Sequence, residues 1–349
     1  MRGILFPNKD TIMISTCIIG ASGYTGAELI KIIIQHPTFS LDACYVSENS
    51  ADRNKSISDV HPHLYGQSQL VITPLNSEVL ANIADSYDAI FLATPHEASH
   101  DWANQLINKR AKIFDLSGAF RLPDTDVFET FYGFKHKQPD ILNNAVYGLA
   151  EWHEDAIKKA KFIAVPGCYP TASLLALKPM ADAGFIDKSA RPVINATSGV
   201  SGAGRKPSMT TSYFELSLQA YGVLGHRHTP EIEHYLGTEV IFTPHLGQFK
   251  RGILATITLR LKDGVTESDI QQSYQNCYAK QAMVRLRTSW PKIDEVANTA
   301  YCDIHWKFDK SSGYLVISSA IDNLLKGAAS QAIQCANLAF KLPTETGLI

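Results

Sequence analysis

The stretch ISTCIIGASGYTGAELIKIIIQH, residues 14 to 36, decides the fold. ISTCIIG is a short apolar run and reads as a strand, and TGAELIKIIIQH reads as a helix. The turn between them carries Gly20, Gly23 and Gly26. Their GxxGxxG spacing is a variant of the dinucleotide-binding fingerprint. Glycines there permit a tight turn and close approach of backbone N–H groups to a pyrophosphate, which the positive end of the next helix then faces. A glycine triplet alone also suits an ordinary turn that packs a helix on a strand. The strand–loop–helix context is what favours a nucleotide.

Working outward, LDACYVS (41–47), DAIFLATP (88–95), AKIFDLS (111–117) and KFIAVPG (161–167) are further short apolar runs ending in small or polar residues. Such runs suit strands buried on both faces of a parallel sheet, and helix-like segments separate several of them. The pattern predicts a Rossmann-type, doubly wound α/β domain over residues 13–165. The texture then changes. RPVINATSGV, VIFTPHLGQFKRGILATITLRLKDG and YLVISSAID are β-rich, and helices are expected near 170–183, 207–219 and 266–280. This predicts an α+β domain with a mixed or antiparallel sheet. The tail NLLKGAASQAIQCANLAF is expected to be a helix with one buried face. Residues 1–12 are expected to be an extension that the core fold does not need.

Composition narrows the function. A formal net charge of −2 gives no electrostatic case for nucleic acid or an anionic membrane as partner. No apolar run reaches the roughly 18 residues of a membrane span. Six cysteines in 349 residues, none in a CxxC pair, are too sparse for a disulfide scaffold and give no support to a metal site. A reducing, cytoplasmic setting is expected.

Cys168 stands apart from the other cysteines. In AVPGCYPTASLLAL (164–177) it follows a strand and Gly167, and Pro170 suits the first turn of a helix. A thiol at a helix N-terminus feels a dipole that favours thiolate. A cysteine nucleophile needs a proton shuttle, and GHRHTPEIEHYLG (225–237) supplies His226 and His228. If Pro230 starts a helix, Glu231 is placed to orient the His228 ring. Two other segments add to the site. DLSGAFRL brings Ser117 and Arg121 after a strand, and an arginine there can hold phosphate by bidentate hydrogen bonds. TSGVSGAGRKP (197–207) is a glycine-rich loop carrying Arg205, suited to close approach to a cofactor or an anion. The second strand ends YVSENSADRNKS, with Ser47 first and Arg53 and Lys55 close behind, which favours the 2′-phosphate of NADP; Glu48 is a competing signal.

These motifs together resemble the N-acetyl-gamma-glutamyl-phosphate reductase family, NADP-dependent enzymes of arginine biosynthesis. The resemblance runs from about Met13 to the C-terminus through GASGYTGAEL, ATPHEASH, DLSGAFR, YGLAE, VPGCYPT, NATSGVSGAGRK, HRHTPEI, TPHLGQFKRGIL and DNLLKGAA. It implies Cys168 as nucleophile and a histidine of HRHTPEI as acid/base, with His228 preferred for its Glu231 and His226 second. It implies that Gly20, Ser22, Gly23, Tyr24, Thr25 and Gly26 hold the NADP(H) pyrophosphate. ATPH, with Pro95, and the serine-glycine loop 198–202, with Ser198 and Gly199, would line the cofactor cleft, with Asn323 near the nicotinamide. Arg121 becomes the phosphate contact by analogy with aspartate-semialdehyde dehydrogenases. Those enzymes share the architecture but usually carry asparagine where this chain has Gly167. The implied partners are a small acyl phosphate and inorganic phosphate. A homodimer or homotetramer is implied too, with residues 324–349 packing back on the first domain and 166–323 forming the catalytic one. The rivals are a reductase for another acyl phosphate and a non-catalytic NADP-binding redox sensor using Cys168.

Overall fold

The computed structural model describes residues 13–349; the proposed extension, 1–12, lies outside the described residues. Seven parallel strands form the first sheet: β1 (Ile14–Ile19), β2 (Phe39–Ser47), β3 (Ile72–Leu75), β4 (Ala89–Leu92), β5 (Lys112–Asp115), β6 (Val146–Tyr147) and β7 (Phe162–Ala164). Their order is β3-β2-β1-β4-β5-β7-β6. β1 sits where the order reverses, so the crevice beyond the carboxyl ends of β1 and β4 is the place for a ligand. The residues of β4 are all buried, as a strand covered by helices on both faces requires.

The second sheet is mixed. Its strands are β8 (Val193–Gly199), β9 (Gln219–Ala220), β10 (Ile241–Gly247), β11 (Ile253–Arg260), β12 (Val284–Leu286), β13 (Cys302–Asp309) and β14 (Tyr314–Ile321), ordered β12-β13-β14-β11-β8-β10-β9. β8 pairs in parallel with β10, and β11 runs antiparallel to both β8 and β14. The helix Cys168–Asp182 packs on one face of this sheet, in one cluster with Ile194, Ala196, Ile257 and Ile317. It is apolar nearly all round, as befits a helix surrounded by core.

Two expected elements differ. Residues 207–219 do not form a helix. They hold a single 3-10 turn, Met209–Thr211, before the short strand β9. Met209, Tyr213, Phe214 and Leu218 remain exposed, so the helical spacing there has no core to bury its apolar face. The tail helix Ser330–Ala339 is buried on every side rather than on one. Its apolar residues join the core of the first sheet, and Gln331, Gln334 and Asn337 bond inside. Gln331 donates to the Gly148 carbonyl at 2.8 Å, and Asn337 donates to the carbonyls of Thr344 and Thr346.

Between the sheets runs the segment Asp322–Ala329. Asp322 accepts from Arg251, which also pairs with Glu28 of the first helix at 2.7 Å, tying the two domains. A π-helical turn, Leu325–Ala329, carries the fully buried Lys326. Its ammonium donates to Glu151 and Gln334, each at 2.5 Å. Gly327, one residue on, lies against Cys168, where an added Cβ would come within 2.7 Å of the Cys168 Cβ.

Removing one partner of a buried ion pair leaves a charge without solvent or counter-charge. Lys326→Ala should therefore lose about 3–5 kcal/mol of stability, whereas Lys326→Met with Glu151→Leu should recover most of it. Denaturant unfolding of the three proteins checks this; equal stability of the Ala variant and the parent would contradict it.

Candidate functional site

Cys168 is the first residue of its helix. Gly167 precedes it in extended conformation, and no side chain caps the first turn. The strand β7 leads there through Val165 and Pro166, so the thiol stands at the junction of the two sheets.

One buried carboxylate fixes that junction. Glu231, in the helix His228–Leu236, is fully buried. It accepts from the Gly167 N–H and from the Tyr147 hydroxyl, both at 2.8 Å, and from Arg121 Nη1 at 3.4 Å. Arg121 also donates through Nε to the Val165 carbonyl and through Nη2 to the Leu116 carbonyl, both at 2.7 Å. The expectation that Glu231 orients His228 is therefore not met. A guanidinium and a backbone N–H are strong donors to a carboxylate, and they take its oxygens. His228 Nδ1 is buried and has no partner among the described residues.

The glycine at 167 has a steric reason. A Cβ there would lie 2.5 Å from His228 Nε2 and 3.0 Å from Arg121 Nη1. Only a residue without a side chain lets the ring and the guanidinium close over the backbone beside the thiol.

Two cavities meet at Cys168. One, of about 300 Å³, is lined by Gly23, Tyr24 and Thr25 of the glycine turn, by Arg121, and by Asn323. The other, of about 470 Å³, is lined by Tyr169, Tyr221, Ser198, Gln219 and Leu246. Cys168, Arg227 and His228 line both. A thiol and an imidazole thus face one space suited to a cofactor and another suited to an acyl chain.

The electrostatics run against a resting thiolate. Burial pushes the Cys168 thiol up; the Tyr169 N–H, Arg121 and Arg227 pull it down by less, and Glu231 adds to the rise. Burial also drives His228 well below the ordinary imidazole range, helped by His226, Arg121, Arg227 and His96. His226 is pushed down to about 4, by burial and then Arg227. The ring beside Cys168 is a neutral base, not a preformed imidazolium.

Several expected residues sit elsewhere. Ser117 is buried on Asp115, to which its hydroxyl and its N–H both donate, so it faces no ligand. Ser198 and Gly199 lie on the acyl side, where Gly199 is pressed against the backbone of Lys250 and Arg251; Ser201 and Gly202 of the same loop, with Gly204, line the cofactor side. Arg205 reaches back to the glycine turn, donating to the Ser22 carbonyl at 3.2 Å and to Asp52 at 2.6 Å. Ser47 is exposed at the end of β2. Pro95 precedes the helix His96–Leu106. Asn323 accepts from the Gly252 N–H at 2.6 Å and donates to Ser201 at 3.0 Å. The sequence reading missed Tyr147 and Arg227, while His96 lies in the ATPH stretch already expected at the cofactor cleft and lines that cavity. Arg227 was visible only as the residue between two histidines.

The glycine turn fits a dinucleotide. Gly20 has φ +94°, and a Cβ on it would stand 2.2 Å from the Ala93 carbonyl oxygen. A Cβ on Gly26 would stand 2.5 Å from the Gly20 carbonyl oxygen. The helix Tyr24–Gln35 starts at Gly23 with no side-chain cap and no acid in its first turn, so its positive end is open to an anion.

Comparison with known proteins agrees with this geometry. Residues 15–160 match the family model described as semialdehyde dehydrogenase, NAD binding domain, and residues 168–323 match semialdehyde dehydrogenase, dimerisation domain. An N-acetyl-gamma-glutamyl-phosphate reductase of Alteromonas mediterranea is 62% identical over 97% of this chain and 100% of its own length. The chain belongs to the N-acetyl-gamma-glutamyl-phosphate reductases. A member of the same family from Aliivibrio fischeri is 53% identical over 97% of the chain and 100% of its own length. Among solved structures, an aspartate semialdehyde dehydrogenase II of Vibrio cholerae superposes with a TM-score of 0.71 at 16% identity, covering 94% of this chain and 99% of its own. That likeness is one of fold.

Two outcomes follow from the site of this reductase. Alkylation of Cys168 in the free protein should keep accelerating above about pH 8.5, the ordinary thiol value, because burial outweighs its cations. A plateau near neutral pH would mean a preformed thiolate–imidazolium pair. Gly167→Ala should keep the fold and lose about 100-fold in turnover, since it displaces His228 or Arg121. Unchanged kinetics would show the contact to be slack.

Proposed function

We propose that this chain catalyses the NADPH-dependent reductive dephosphorylation of N-acetyl-L-glutamyl 5-phosphate to N-acetyl-L-glutamate 5-semialdehyde, with Cys168 as nucleophile and His228 as acid/base. The observation that carries this is the meeting of two cavities at a helix-initial cysteine, with a neutral buried imidazole lining both.

The proton of the Cys168 thiol passes to His228, which is free to take it because it starts neutral. Arg121 and Arg227 favour the thiolate and the incoming anion at that moment. Sulfur attacks the acyl carbonyl carbon. The oxygen that becomes negative can lie against the N–H groups of Cys168 and Tyr169 at the open helix start. The carbon–oxygen bond to phosphate then breaks, and Arg121, whose Nη1 overlies Gly167, receives the phosphate. A thioester remains on Cys168. The nicotinamide dinucleotide supplies hydride when bound. The His228 imidazolium protonates the oxygen of the reduced adduct; removal of that proton then lets the carbon–sulfur bond break and restores the thiol.

Placement favours His228 over His226. His226 Nδ1 already accepts the His228 backbone N–H at 3.1 Å, and His226 lines only the acyl cavity. NADP is favoured over NAD because Ser47 stands where an acid would hold the ribose, and the nearby Asp52 is already paired with Lys55 and Arg205. The division into residues 13–165 with 324–349 and 166–323 follows the two sheets. A homodimer or homotetramer built through the second domain, working in the cytoplasm, completes the proposal.

The test is the reverse reaction with N-acetylglutamate semialdehyde, NADP and phosphate. NADPH absorbance should rise only when phosphate is present. Cys168→Ser should bind NADPH normally and lose nearly all turnover, and His228→Asn should lose far more rate than His226→Asn. Substantial activity of the serine variant would remove Cys168 from the mechanism.

A further inference from the structure

Arg227 stands between the two histidines and directly precedes the helix His228–Leu236. The other arginines of the site are tied down. Arg121 is held by two carbonyls and Glu231, and Arg205 by Ser22 and Asp52. Among the described residues Arg227 makes no side-chain hydrogen bond and no ion pair, yet it lines both cavities beside Cys168.

The charge of the acyl cavity makes this informative. Its wall carries no lysine, aspartate or glutamate, and Arg227 is its one arginine. Its two histidines are depressed by burial, so they add no positive charge near neutral pH. The hydroxyls of Tyr169, Tyr221, Thr210 and Ser198 and the amide of Gln219 are neutral, and Phe131 and Leu246 add apolar wall. Arg121, by contrast, lines only the cofactor side. An N-acetylglutamyl phosphate has two anionic ends on a short chain: the acyl phosphate, which must lie at the thiol, and the α-carboxylate. With Arg121 beside Gly167 for the first, a single unengaged guanidinium remains for the second.

We propose that Arg227 binds the α-carboxylate of the N-acetylglutamyl group and thereby selects a carboxylated acyl chain. This rests on the reductase reading given above. A guanidinium suits the task because its planar fork meets both carboxylate oxygens, which a lysine ammonium does not match.

The test uses the full-length protein in the reverse reaction with two aldehydes, N-acetylglutamate semialdehyde and 4-acetamidobutanal, which lacks the carboxylate. The parent should prefer the carboxylated aldehyde. Arg227→Ala should lose about 100-fold of that preference in kcat/KM, the effect of losing hydrogen bonds to a charged group, and Arg227→Lys should fall between. The KM for phosphate should move little. A preference that survives, an equal loss for both aldehydes, or a rise confined to the KM for phosphate would each overturn the assignment. The last would place Arg227 on the phosphate. Calorimetric binding of N-acetylglutamate and of 4-acetamidobutanoate to Cys168→Ser, with and without Arg227→Ala, gives a readout independent of turnover. If the parent reduces NADP with neither aldehyde, the reductase reading falls. The calorimetry then decides the carboxylate contact alone: tighter binding of N-acetylglutamate that needs Arg227 supports it, and a difference indifferent to Arg227 overturns it.

Discussion

The buried carboxylate of Glu231 is the constraint on which the site depends. It draws together donors from both domains: the Tyr147 hydroxyl and Arg121 from the first, and the Gly167 N–H from the chain crossing into the second. A fully buried carboxylate demands partners, and these three satisfy it. Each then does something else. The Gly167 bond sets where the Cys168 helix starts. Arg121, anchored also on Val165 and Leu116, is stiffened along its whole guanidinium. The helix carrying Glu231 begins at His228, so the same bond sets the distance of the imidazole from the thiol's backbone. Gly167 leaves room for that approach and Gly327 supports the thiol from behind.

From this packing comes an electrostatic consequence. The site gathers Arg121, Arg227 and Arg205 near a thiol and two imidazoles, and the imidazoles respond by staying neutral. Burial makes an added positive charge unfavourable, and the guanidiniums make it more so. A cationic site with a neutral base is suited to an anionic substrate. Anionic charge arriving beside the guanidiniums offsets the positive field that disfavours an imidazolium at His228. The thiol is not activated at rest, because burial outweighs the cations beside it.

Much of this was legible in the sequence, for identifiable reasons. The parallel sheet was visible because strands buried on both faces are continuously apolar, and the glycine turn was visible because only glycine meets its positive φ and close contacts at Gly20. Cys168 was visible from its strand-to-helix setting. What was not legible is long-range. The spacing of His228 and Glu231 suggested a local pair, but Tyr147, 84 residues away, and Arg121, 110 away, compete for the same oxygens. Ser117 is the exception: Asp115, only two residues earlier, takes both its hydroxyl and its N–H in a local turn that the sequence could have suggested. The stretch 207–219 has helical spacing, yet its apolar side chains stay exposed among the described residues. Local pattern fixes elements; only tertiary contacts decide which partner a buried polar group finds.

A covalent acyl-enzyme at Cys168 is the central proposal, and its most direct test is the intact-protein mass after mixing with N-acetylglutamyl phosphate in the absence of NADPH. One N-acetylglutamyl group per chain is expected, localised to the peptide containing Cys168, absent from Cys168→Ser, and discharged when NADPH is added. No adduct on the parent protein, or an adduct that the serine variant still forms, would contradict it.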